Sequence, residues 1–257
     1  MDKITLYRQH LSTLPVWDEY LMQESGLPGP RSNLELMYAV AAEGDASLFY
    51  RYLAHGPETA PVNTPLGFLA MCGTAGLGSL LARGERGVLA DLRPLASDPR
   101  WRIREAVCMG LQLWGDCDMD ALLAEMDLWS RGNLLERRAA AAALCEPRLL
   151  TRPEHARAVL RILDDITASL ASVSDRKDDS FRVLVQGLSY CWSVAVSALP
   201  GEGKALMEKW FSSGDKDVVT IMRDNLQKKR LVRVDAGWVE MSQKRIANRL
   251  EELKRRT

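Results

Sequence analysis

The sequence predicts an all-α protein of paired helices packed side by side, and three observations carry the prediction. β-branched residues are few and period-two alternation is nearly absent, so strands lack their usual signal. Apolar residues recur at three- and four-residue intervals along almost the whole chain, which is the spacing of one helical face. Helix start signals, an Asp, Ser or Thr that in places has Pro close behind it, recur at short intervals.

Taken in order, Ser32 opens a helix over 33–43 and Asp45 one over 46–55. Thr64-Pro65 opens an apolar run that Gly73, Gly76 and Gly78 are expected to divide into two short helices. Their spacing in an apolar setting suggests close helix packing. The clearest element is 99–114, where Ile103, Ala106, Val107, Gly110, Leu111 and Trp114 fall on one face. Asp98 stands at the N-cap, Pro99 at the first helical position, and Gly115 as the stop. Asp118 opens 119–129, Thr151 a helix through 171, and Asp179 one over 180–199. Helices over 201–211, 215–229 and 238–256 complete the chain. Pro15, Pro28, Pro30, Pro57 and Pro61 break the first 62 residues into short pieces, and 56–64 is expected to be the most mobile loop.

A weak internal repeat runs through these helices. A small residue followed by Leu recurs as Gly110-Leu111, Ala143-Leu144, Gly187-Leu188 and Asn225-Leu226, at intervals of 33, 44 and 38 residues. A small side chain lets a neighbouring helix approach and the Leu fills the gap. A period of roughly 35–45 residues is that of a two-helix repeat. Asp98-Pro99-Arg100-Trp101-Arg102-Ile103-Arg104-Glu105-Ala106-Val107 resembles the second half of a HEAT or HEAT-like turn, as does Asn133-Leu134-Leu135-Glu136-Arg137-Arg138-Ala139-Ala140. The resemblance implies a right-handed α-α superhelix, a HEAT-like solenoid of helical hairpins. Residues 1–62 would be an N-terminal helical cap region and 63–257 the repeats, with 238–256 as the end cap, all within one continuous domain 1–257 if the cap stacks directly. Within that class both segments are similar to the bacterial DNA-alkylation-repair glycosylases. Those, by the resemblance, use aromatic residues and an acid on a concave basic surface, marked by adjacent tryptophans followed closely by an Asp. Here Trp17, Trp101, Trp114, Trp129, Trp192, Trp210 and Trp238 are all isolated, and Asp127 precedes Trp129. No catalytic residue is therefore assigned.

Composition is that of an ordinary globular protein, 47% apolar and 26% charged. Zero net charge gives no bulk attraction to nucleic acid or membrane. Cys72, Cys108, Cys117, Cys145 and Cys191 form no Cys-x-x-Cys pair and are expected to be reduced, mostly buried thiols of a cytoplasmic protein. No apolar leader follows Met1, and no stretch approaches the roughly 20 apolar residues of a membrane span. His10, His55 and His155 lack ligand spacing, so no metal or cofactor is expected.

The candidate partner-binding residues are cationic and aromatic. Arg100, Arg102 and Arg104, then Arg137 and Arg138, could form a ladder that grips phosphate, or could pair with acids of adjacent repeats. Trp101 could stack on a base or partner, or pack against its paired helix. From Met222 to Thr257 eleven Lys or Arg face five Asp or Glu, a net of +6 that leaves −6 for the rest. Within it, Lys228-Lys229-Arg230 is expected either to end a helix, where cations suit the dipole, or to form a nucleic-acid patch. The expected function is a non-catalytic solenoid binding a protein or nucleic-acid partner on its concave face. A DNA-alkylation-repair-like protein is the alternative.

Overall fold

The computed structural model describes residues 2–255 and is all-helical, with no strand among them. It forms two compact units, residues 1–118 and 119–257. In the first unit α1 (Lys3–Leu11), α3 (Leu34–Glu43), α5 (Pro65–Ala82) and α7 (Trp101–Cys117) pack in a row in that order. Against α5 lie α2 (Asp18–Glu24), α4 (Ala46–Leu53) and α6 (Leu89–Leu95). Across position 62/63, α5 packs on α2, α3 and α4 as well as on α7.

Asp45 and Thr64 cap their helices as expected, accepting from the Leu48 and Gly67 N–H groups. The cap of α3 is Asn33 rather than Ser32 and accepts from the Leu36 N–H, and Thr151 does not cap the helix after it, whose first flanking residue is Arg152. Arg83 donates to the carbonyls of Gly44 and Ala42 at 2.9 and 2.8 Å, satisfying the exposed end of α3. Another expectation fails: α5 is a single helix of 18 residues rather than two. Contrary to the expectation that no stretch approaches a membrane span, it is long and apolar enough to cross a membrane by length and composition, and 83% of it is buried. Its glycines do not break it because each receives a neighbour. The Phe49 ring lies where a Gly76 side chain would go, and the Gly110 backbone lies where a Gly78 side chain would go. Close packing replaces the propensity that glycine lacks.

Asp98 does not cap α7. Its carboxylate is taken by the Arg100 N–H at 2.7 Å and by the Arg100 guanidinium, and the helix starts at Trp101, two residues later than expected. Gly115 does not stop α7, which continues to Cys117.

In the second unit α9 (Leu134–Leu144), α11 (Asp179–Ala198), α13 (Lys216–Leu226) and α15 (Ala236–Lys254) pack as one row. A second row, α8 (Met119–Trp129), α10 (Pro153–Ser169) and α12 (Pro200–Lys209), packs on it. A short helix, α14 (Lys229–Val234), fills the turn before α15. Asn133, Asp178, Asp215 and Asp235 cap α9, α11, α13 and α15 through their side chains, so α11 is capped by Asp178 and not by the expected Asp179, which is its first helical residue. Of the last helix expected over 238–256, the end at Arg256 lies outside the described residues.

The repeat read from sequence has a physical role in both units. Leu111, Leu144, Leu188 and Leu226 are all fully buried, on α7, α9, α11 and α13. Three of the residues before them meet the preceding helix of the row. Gly110 lies against Gly78 of α5, Gly187 receives the Arg138 stem from α9, and Asn225 donates to the Leu188 carbonyl of α11 at 2.8 Å. Asn225 also accepts from the Ser193 N–H at 2.8 Å, so a buried amide substitutes for the small residue.

Arg176 ties the loop before α11 to the start of α13. It donates to Asp215 at 2.6 Å, to Asp217 at 2.7 Å and to the Leu170 carbonyl. Burial opposes ionisation of Asp215, but Arg176 and the N–H groups of α13 outweigh it and hold the carboxyl below its ordinary range. A lowered folded-state value means stability that is present above the unfolded carboxylate range and lost as pH falls through the folded one. Urea midpoints measured on acidification should therefore drop below about pH 4, and Arg176→Gln should flatten that drop while lowering stability at neutral pH.

Candidate functional site

The three arginines at the start of α7 have different surroundings. Arg100 is 7% exposed and engages four of its five donors: two on Asp98 and one each on the His55 and Ala60 carbonyls at 2.9 and 3.1 Å. It closes the 54–64 loop, which contains the 56–64 segment expected to be most mobile, onto α7. Arg104 turns back to the Asp98 and Pro99 carbonyls at 2.7 and 3.2 Å. Arg102 is 6% exposed and lies over the Trp101 ring at 4.3 Å. It donates to the Gly29 carbonyl at 2.9 Å and, weakly, to Ser32 at 3.5 Å, and its Nε has no partner. Burial pulls its pKa down. Trp101 is 47% exposed, so its second face is open rather than packed.

Arg137 is half-buried and donates to the Gly132 carbonyl and to Ser169 at 2.9 and 3.1 Å. Arg138 is half-buried against Gly187. Neither α7 nor α9 thus presents a simple ladder of free guanidinium groups. The acids are paired as well: Asp127 accepts from Arg131 and Arg161, Asp164 from Lys209, and Glu202 from Arg157.

The 228–230 cluster is placed differently from the expectation. It does not end a helix extending to 229. The preceding helix stops at Leu226, and Lys228 precedes α14, whose first residues are Lys229 and Arg230. The negative end of α13 and the positive end of α14 meet there, so their dipole effects on these cations oppose each other. The cations gather instead on Tyr190 of α11, a residue the sequence reading did not select. Arg230 lies 4.7 Å and Lys228 5.8 Å from the centre of its ring, and Arg230 donates to its hydroxyl. Tyr190 is 45% exposed and continues an exposed line of Arg182 and Gln186 at four-residue spacing, which is the signal that could have found it. Among the described residues Lys228, Lys229, Arg230 and Arg233 form no ion pair with a carboxylate. Val232 and Val234 beside them are also exposed.

Catalytic groupings are not prominent. Burial pushes the Cys72 and Cys145 thiols up, away from the thiolate form. Trp129 is buried and donates to Glu125 at 2.7 Å, while the neighbouring Asp127 carries two arginines. His155 lies 3.2 Å from Asp120, and the His10 ring lies tilted against Tyr20, 4.5 Å between centres. No group of three or more His, Cys, Asp or Glu able to hold a metal occurs among the described residues. No family model, curated protein or solved structure matches the chain.

Proposed function

We propose that this protein is a non-catalytic stack of helical hairpins of the HEAT-like kind, wound as a right-handed superhelix, that binds a macromolecular partner, and that nucleic acid docks on the patch around Tyr190. The helix rows, and the small residues repeated where each helix meets the one before it, support the repeat reading. The observation that carries the binding reading is the exposed Tyr190 ring with Lys228 and Arg230 beside it, cations with no carboxylate partner among the described residues. Phosphodiesters supply the missing negative charge, and a base can stack on an exposed aromatic face. An acidic protein segment meets the charge requirement but makes no use of the ring.

The test is fluorescence anisotropy with labelled single- and double-stranded oligonucleotides at low and moderate salt. The wild type should bind in a salt-dependent manner. Lys228→Ala/Lys229→Ala/Arg230→Ala should reduce the slope of log affinity against log salt by about 2–3, the contribution of three phosphate contacts. Tyr190→Ala should weaken single-stranded binding by about 1–3 kcal/mol with less effect on the slope. Absence of binding at low salt, or a triple variant that binds like wild type, would reject nucleic acid and leave a protein partner as the occupant to seek.

A further inference from the structure

We propose that the cleft at the start of α7 binds the carboxylate end of an apolar molecule, either a free apolar amino acid or the C-terminal residue of a peptide. The inference concerns the first unit and does not rest on the Tyr190 patch.

Arg100 and Arg102 are two residues apart and equally buried, yet only Arg100 has a carboxylate. Arg102 engages two of its five N–H donors, one of them at 3.5 Å, and meets no acid. Removing a cation from water without a counter-charge is costly, and such groups are usually paired. The carboxylate that could have served is Asp98, which is held by Arg100. Next to Arg102 the first turn of α7 has no side-chain cap, so its N–H groups add to the positive field.

Arg102 lines a cleft of 590 Å³ with Leu34, Met71, Trp101 and Glu35. That volume suits a small ligand or a peptide end. Met71 and Leu34 provide an apolar wall, and the open face of Trp101 provides a flat one. Glu35, an exposed acid with no ion pair, can receive an ammonium or amide N–H. The buried Arg102, the exposed Glu35 and the apolar wall match a carboxylate, a nitrogen and an apolar side chain on a single residue, while Arg31 and Glu105, which also line the cleft, offset each other in charge. A polyanion matches less well, because Glu35 and Glu105 balance Arg31 and Arg102 and leave the cleft without net positive charge.

The experiment is isothermal titration of the full chain with L-phenylalanine, with the tripeptide Gly-Gly-Phe, and with the C-terminal amide of each. Saturable binding of a free acid, with its amide at least about tenfold weaker, is the expected result. Binding of the tripeptide as well as the amino acid identifies a peptide end as the source, and binding of phenylalanine alone identifies the free amino acid. Arg102→Gln should abolish binding while circular dichroism remains helical. Should that variant fail to fold, Trp101→Ala, which alters an exposed side chain, should weaken binding, and the acid–amide comparison needs no variant. Acids and amides that bind alike, or no saturation of any probe in roughly the millimolar range, would overturn the proposal.

Discussion

Asp98→Ala is expected to destabilise the first unit by about 3–5 kcal/mol, the cost of leaving one partner of a buried ion pair uncompensated. Both side chains are nearly closed to solvent, at 8% and 7% exposure, and they meet at 2.8 Å. Arg100 also holds the His55 and Ala60 carbonyls, so its displacement frees the 54–64 loop together with the start of α7. The control is Arg131→Ala, which breaks an exposed pair with Asp127 and should cost at most about 1 kcal/mol. Urea melts of the three proteins decide the matter: equal losses for the two variants would show that the Arg100 pair contributes no more than a surface one. For the same reason, Arg100 is a poor choice for a binding test. Its removal would lower affinity for any partner by disturbing the fold, whereas Trp101 can be changed at the surface.

Gly78→Ala should reverse the usual sign of a glycine-to-alanine change. In an exposed helix interior the substitution gains about 1 kcal/mol from helix propensity. Here the added methyl falls on the backbone of Gly110, which cannot rotate aside as a side-chain tip would. Overpacking of a filled core costs about 1–3 kcal/mol and more where backbone must move, so the clash outweighs the propensity. The net expectation is a loss of about 2 kcal/mol or more in urea midpoint experiments. Gly87→Ala provides the comparison, since nothing lies within 4 Å of its added carbon. A Gly78→Ala protein as stable as wild type would mean that α5 and α7 can separate without loss.

Helix existence was legible in the sequence because caps and periodicity are local. Thr64 and Asp45 act within three residues of themselves, and the small-Leu pairs lie on one helical stripe. Asp178 and Asp235 cap just as locally, one residue before the expected Asp179 and three before the expected start at Trp238. What failed was decided at longer range. The glycines of α5 read as breaks until Phe49 and Gly110 are seen to fill the space beside two of them. Asp98 is a sound cap by type, but a guanidinium two residues on competes for the same oxygens. The arginines could not be sorted from sequence, because their acceptors are backbone carbonyls of distant turns: Gly29 for Arg102, and His55 and Ala60 for Arg100. Lys228 and Arg230 were found by charge alone, while their aromatic partner lies 40 residues before Arg230 on another helix.

The row arrangement of the second unit also bears on how fast it forms. Side-chain bonds between its helices join residues that are near in sequence: Arg161 to Asp127 over 34 positions, Asn225 to Ser193 over 32, and Arg157 to Glu202 over 45. In the first unit Arg102 reaches Gly29 across 73. Chains whose partners are near in sequence close small loops and lose little entropy before contacts form, so they cross their folding barrier quickly. Other closures of the first unit are as short, Arg8 to Glu43 over 35 positions and Arg51 to Asp18 over 33, so the Arg102–Gly29 bond is the one expected to form late. Hairpins of either unit can pair with their neighbours as the chain leaves the ribosome, but the loop around Gly29 must wait for α7 before it has its arginine.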